Sequence, residues 1–196
     1  MPSLQGTVVA ITGGSAGIGR ATARELAGAG AKVAIGARRL ERLEALETEL
    51  PGAILPVRMD VRRPEDAGRL VSQAVERFGR LDALVANAGI GMYGGILDHS
   101  DEELTRMLDT NIAGTVWPIR AAVPEMLKNG QGDIVIVSSV AGFRGAADEA
   151  VYAATKFAQV GLAGALDREL RERGIRVTTI GPAGTSTEFA MGPGRT

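Results

Sequence analysis

Six short runs of β-branched and aliphatic residues recur along the chain, at residues 7–11, 32–36, 54–58, 83–86, 133–138 and 176–180, with amphipathic stretches between them. The clearest of those stretches are residues 39–50 and 65–78. The runs are apolar nearly throughout rather than alternating, which points to burial on both faces, as in a parallel sheet covered by helices. Such alternation implies right-handed crossovers between neighbouring strands. The pattern therefore predicts a doubly wound, three-layer α/β/α fold. With 196 residues and no internal repeat, low-complexity tract or linker, one domain over 1–196 is expected.

Composition removes several classes of function. The net charge is -1 with both signs scattered, so there is no electrostatic footprint for nucleic acid. Without cysteine there are no disulfides, thiolate nucleophiles or cysteine-ligated metals, and one histidine excludes a histidine cluster. No metal site is expected. No apolar run approaches the ~20 residues that span a bilayer. The opening Met1-Pro2-Ser3 runs almost at once into the first strand, so no leader is read and a soluble cytoplasmic protein is expected.

The first strand leads into Thr12-Gly13-Gly14-Ser15-Ala16-Gly17-Ile18-Gly19, and a helix is expected from about Arg20 to Ala29. Glycines there let a pyrophosphate approach bare amides, and the helix N-terminus adds partial positive charge. The second strand ends Gly36-Ala37-Arg38-Arg39, where the adenosine ribose of a dinucleotide would lie. An acidic residue would suit the hydroxyls of NAD(H); a guanidinium suits the 2′-phosphate of NADP(H). The reading is NADP(H), with Arg38 ahead of Arg39 and NAD(H) as the alternative. Asp60, before Val61, either meets the adenine amino group or caps the following turn. Asn87-Ala88-Gly89 follows the fourth strand; its small residues permit close backbone approach, and the asparagine can tie neighbouring strands together. Ser100-Asp101-Glu102-Glu103 has the form of a capping box, which makes His99 a pre-helix turn residue. Pro118 and Pro124 lie in an otherwise helical stretch after Asn111, where a bend or break is expected.

Tyr152 and Lys156 are four apart, so on a helix they share one face. A phenol titrates near ~10; work as a proton donor and acceptor near neutrality needs ~3 units less, or ~4 kcal/mol. A cation ~4 Å away at an effective dielectric of ~20 supplies about that much. Ser139, at the end of the fifth strand, points into the crevice where such sheets bind ligands. No histidine stands ready to activate it, so a hydrogen-bonding role is the chemically available one.

Together these features resemble the short-chain dehydrogenase/reductase family: the glycine motif at 12–19, Asn87-Ala88-Gly89, Asn111, Ser139, and Tyr152 with Lys156, thirteen residues after the serine. The resemblance implies a Rossmann fold and hydride transfer between NADP(H) and a small carbonyl or alcohol substrate. It gives Tyr152 the role of general acid/base, Ser139 a hydrogen bond to the substrate oxygen, and Lys156 the nicotinamide ribose and the lowering of the tyrosine pKa. Asn111 would hold a water linking Lys156 to solvent. Thr12, Gly13, Ser15, Gly17, Ile18 and Gly19 would line the pyrophosphate; Thr187 would meet the carboxamide, and Val61 and Pro182 complete the cofactor set. It also implies a homo-oligomer, dimer or tetramer.

Two departures stand out. Ala16 sits where many NADP-using relatives carry a basic residue, and Pro182-Ala183-Gly184 replaces the usual Pro-Gly, so a positive φ at Ala183 would be strained. Relatives also continue past Thr196, so the domain reads as C-terminally incomplete, with Gly192-Pro193-Gly194 as a loop. A non-catalytic dinucleotide-binding or regulatory protein of the same fold is the alternative function. Met92, Tyr93 and Phe143 hint at a partly apolar substrate but equally suit packing.

Overall fold

The computed structural model describes residues 4–189; the readings at Met1-Pro2-Ser3 and Gly192-Pro193-Gly194 lie outside them. All six strands fall within one residue of their expected spans: β1 (Val8–Thr12), β2 (Lys32–Ala37), β3 (Ile54–Arg58), β4 (Ala83–Ala86), β5 (Gly132–Val137) and β6 (Ile175–Ile180). They form one parallel sheet in the order β3-β2-β1-β4-β5-β6. Because β1 sits between β2 and β4, the crossovers wind in opposite directions from it. The crevice this opens at the carboxyl ends of β1 and β4 is where such sheets bind ligands.

Successive residues of each strand face opposite layers. Val9, Ile11, Val33 and Ile35 pack against Ala23 of α1 (Gly17–Gly28) and Leu43 and Leu46 of α2 (Leu40–Glu49). Val8, Ala10, Leu84 and Ile134 pack against α3 (Pro64–Phe78), α5 (Gly114–Lys128) and α6 (Ala150–Leu170). Leu84 is fully buried, and truncating it to alanine is expected to cost about 2–5 kcal/mol. Arg176, Thr178 and Ile180 of β6 are exposed, so this strand is covered mainly on one face. Among the described residues, no helix is long and apolar enough to cross a membrane.

Helix α1 begins at Gly17, three residues before the expected Arg20. Of the bend or break expected in the stretch after Asn111, no break occurs at the prolines. Helix α5 runs unbroken through Pro118 and Pro124, and the departure comes earlier, as a π turn at Asp109–Ala113 between α4 (Asp101–Leu108) and α5. Each proline still removes a helix hydrogen bond, but Ile119, Ala122 and Met126 bury the α5 face against the sheet and hold the helix together through that loss. The capping box forms with both bonds: Glu103 N donates to Ser100 Oγ at 3.3 Å and Ser100 N to Glu103 Oε2 at 3.0 Å. It starts α4 and leaves His99 in the turn before it.

Candidate active site

The loops at the carboxyl ends of the strands enclose a cavity of about 430 Å³, in the usual range for small-ligand sites. Gly13, Ser15, Gly17 and Ile18 line it from the first turn, Arg38 and Arg39 from the end of β2, Asp60 and Val61 after β3, and Asn87, Ala88 and Gly89 after β4. Ser139, Tyr152, Lys156, Pro182 and Thr187 complete the expected set on its wall.

Thr12, Gly19 and Asn111 stand behind that wall rather than on it. Thr12 is fully buried, and its Oγ1 accepts from the amides of Asn87 and Ala88, both at 3.1 Å. Asn87 Nδ2 donates to Thr12 O at 2.9 Å and Gly13 O at 3.2 Å, which ties the end of β4 to the end of β1. A Cβ on Gly19 would fall 2.4 Å from that Nδ2 and 2.5 Å from Gly13 O, so only glycine fits there. Gly13 itself has φ +73°, a left-handed conformation that glycine adopts without strain. The first amides of α1 are left uncapped by any side chain, a ready anion site beside this turn.

At the adenosine end the arginines and Glu188 stand in solvent. Arg38 is exposed, and no described side chain is hydrogen-bonded to it. Arg39 donates to Ser15 Oγ at 3.1 Å and pairs with Glu188 at 3.2 Å; Arg42 pairs with the other oxygen of Glu188 at 2.6 Å. Hydrogen bonds from Arg42 and then Arg39 hold the Glu188 carboxyl below the usual carboxylate range. Asp60 takes the turn-capping place, accepting from Arg62 N at 3.1 Å and from its guanidinium. The Arg62 side chain is the leading cause that lowers the Asp60 pKa. Asp66, which the sequence pattern did not single out, accepts from Asp60 N at 2.7 Å and so fixes this loop on α3.

At the other end the groups are buried. Lys156 is 4% exposed, and its Nζ lies 5.7 Å from the Tyr152 ring centroid. Burial pushes the Lys156 ammonium from its ordinary 10.5 down to about 8, so it stays largely cationic at neutral pH. Ser139 Oγ accepts from Ala141 N at 3.2 Å, which leaves its hydroxyl proton to be donated. Its neighbour Ser138 instead donates to a carbonyl, Lys156 O at 3.0 Å.

Asn111 sits in the π turn with 0% exposure. Its side chain accepts from Ile90 N at 2.8 Å and donates to Ile90 O at 2.8 Å and Thr155 Oγ1 at 3.0 Å. Its carbonyl accepts from Thr115 Oγ1 and Gln159 Nε2, both at 2.8 Å. The Gln159 side chain also joins Asn111 to Lys156, through Nε2 to Asn111 O and Oε1 to Lys156 Nζ. Gln159 is the main residue that sequence reasoning missed. The available signal was a polar side chain one turn beyond Lys156 on a helix face that is otherwise buried.

Thr187 sits against Gly17, since a Cβ on that glycine would be 3.3 Å from Thr187 Cβ; this puts it on the cavity wall at the glycine turn. Phe189 takes the place beside Tyr152, with ring centroids 6.0 Å apart. Tyr93 packs on Tyr152 at 5.7 Å and lines the cavity. Met92 packs with Met107 and Tyr152, and Phe143 lies over Gly181, so neither forms the cavity wall. Asp148 is the one non-glycine residue with positive φ among the described residues, so Ala183 carries no such strain.

A family model for short chain dehydrogenases matches residues 7–195. An uncharacterized oxidoreductase of Listeria monocytogenes is 39% identical over 192 residues, covering 95% of this chain and 77% of the relative. The structure of a 3-ketoacyl-(acyl-carrier-protein) reductase from Brucella melitensis, complexed with NADH, superposes with a TM-score of 0.92 at 33% identity, covering 95% of this chain and 79% of that one. A short-chain type dehydrogenase/reductase from Mycobacterium marinum gives 0.90 at 34% identity, over 96% and 76%.

Proposed function

The chain belongs to the short chain dehydrogenase family of NAD(P)-dependent oxidoreductases, and from that premise we propose that it transfers a hydride between NADP(H) and a carbonyl or alcohol substrate, with Tyr152 as the general acid/base. The observation that carries this reading is the buried pairing of Tyr152 with Lys156 on the wall of a cavity that Ser139, at the end of β5, also lines.

The bound nicotinamide supplies the hydride chemistry. The residues do the rest. In the reductive direction Tyr152 gives its phenolic proton to the substrate oxygen as negative charge develops there, and takes it back in the oxidative direction. Ser139 donates its hydroxyl proton in a hydrogen bond to the same oxygen. Lys156 favours the phenolate by its charge and presents an N–H toward the cleft. The glycine turn and the uncapped amides of α1 suit a pyrophosphate. Arg38, exposed and with no side-chain hydrogen bond among the described residues, is the guanidinium best able to take a 2′-phosphate. The NADH held by the Brucella relative favours NAD(H) as the competing cofactor.

Tyr93 and Phe189 on the cavity wall support a partly apolar small substrate. Exposed Leu108 on α4 and Phe157 on α6 support self-association as a dimer or tetramer, which light scattering would read directly.

The deciding experiment follows NADPH oxidation with a panel of ketones and aldehydes. Turnover in the wild type and a loss of about 10²–10⁴-fold in Tyr152→Phe are expected. Undiminished turnover in that variant would remove the acid/base from the mechanism.

A further inference from the structure

An ammonium group has three N–H donors. Lys156 spends one on Val137 O at 3.2 Å and one on Gln159 Oε1 at 3.0 Å. The third is left on the side of Gly89, where a Cβ would stand 3.6 Å from Nζ. Both acceptors are neutral, so the buried cation is held by two dipoles.

Gln159 is 1% exposed, and its orientation is determined. Its Nε2 donates to Asn111 O at 2.8 Å and Thr115 Oγ1 at 2.9 Å, while the Thr115 hydroxyl donates to Asn111 O at 2.8 Å. A carbonyl only accepts and an ammonium only donates. Flipping the amide would set its oxygen against Asn111 O and its NH₂ against Lys156, so one orientation satisfies every member. A buried amide satisfied on both sides in this way is held rigidly. This one joins α6 to the π turn through a side chain that neither gains nor loses a proton near neutrality.

We propose that Gln159 is a positioning residue for the Tyr152–Lys156 pair: its carboxamide fixes the ammonium beside the phenol and ties it to Asn111. That assignment rests on the Tyr152–Lys156 chemistry proposed above. The Oε1 dipole favours the charged lysine against the desolvation that opposes it. Removing the dipole makes the lysine shed its proton more readily, and the phenol then loses its cationic neighbour.

The test needs neither substrate nor cofactor. The chain has two tyrosines, Tyr93 and Tyr152, so tyrosinate absorbance followed against pH reports the pair, and Tyr152→Phe assigns the limb. In the wild type one tyrosine is expected to ionise below the ordinary ~10. In Gln159→Met, which keeps length and loses the dipole, that limb is expected to move up by about half a pH unit or more. Gln159→Asn, too short to reach both Lys156 and Asn111, is expected to move it the same way and serves if the methionine variant does not fold. An early limb that disappears in Tyr152→Phe yet stays put in a folded Gln159 variant overturns the role of Gln159 alone. A wild type with no early tyrosine overturns both this proposal and the chemistry it rests on.

Discussion

At the phenol end of the cleft the polar groups are buried and bonded to one another; at the guanidinium end the arginines and Glu188 stand in solvent, and all but Arg38 are held by ion pairs. Asn111, Thr155, Lys156 and Gln159 come from the π turn and α6, and each is nearly inaccessible. Arg38, Arg39, Arg42 and Glu188 come from the end of β2, from α2 and from the segment after β6, and all stand at the surface. Stranding a buried polar group costs about 1–3 kcal/mol, whereas exposed ion pairs contribute little. Substitution at the first end should therefore damage fold and chemistry together, and at the second it should alter ligand preference while the fold stays intact.

The sharpest test of that contrast is Asn111→Leu. It strands the N–H and C=O of Ile90, which the asparagine side chain now satisfies. A loss of about 3–5 kcal/mol in urea-unfolding stability is expected, from two stranded groups and a strained fit. A loss under about 1 kcal/mol would mean that the buried end tolerates broken bonds more easily than its dense network indicates.

Next in size is the pH dependence carried by Lys156. The unfolded chain keeps the lysine proton up to its ordinary 10.5, the folded chain only to about 8. Between those values the unfolded state binds more protons, so stability rises with pH through that window, by up to about 3 kcal/mol in all. The burial cost is fully present below the window. Urea unfolding at a series of pH values, as the difference between wild type and Lys156→Met, should show this climb in the wild type only. A flat difference would mean that the lysine is more hydrated than its surroundings indicate.

The contrast also accounts for what could be read in advance. The strand runs, the glycine turn, the capping box at Ser100 and the Tyr152–Lys156 spacing all depend on residues close together in the chain, so local pattern carries them. Gln159 binds a carbonyl 48 positions away, and its polarity on α6 has no meaning until α5 and α6 are side by side. The π turn is equally non-local, since it brings Asn111 to both Ile90 and Gln159. That α5 continues without a break through two prolines could not be read locally, because local chemistry favours interruption and only tertiary burial opposes it. Glu188 was missed because it meets Arg39 and Arg42 almost 150 positions back along the chain.

At the exposed end, Arg38→Ala is expected to weaken NADPH binding by about 10–100-fold relative to NADH, the loss of one or two charge-assisted bonds. Isothermal titration with each cofactor separates the two readings. An unchanged ratio would assign the phosphate elsewhere, or the preference to NAD(H). Thermal stability should not move, and a large fall in Tm would contradict the division between the two ends.

The smallest effect expected is at Glu188. Its carboxylate accepts from both Arg39 and Arg42, so it stands as a negative group at the place where a 2′-phosphate would also seek a guanidinium. A phosphate that recruits Arg39 has to displace it. Glu188→Ala removes both the competitor and a like charge, and should tighten NADPH binding by about 3–5-fold at low salt. The gain should fade as salt screens the exposed charges, and NADH affinity should be unaffected because no phosphate competes there. The opposite result, weaker binding of both cofactors, would show that Glu188 serves by holding Thr187 and Phe189 across the cleft. In that case an exposed ion pair would be positioning the site, and the guanidinium end would share the structural role that the contrast reserves for the phenol end.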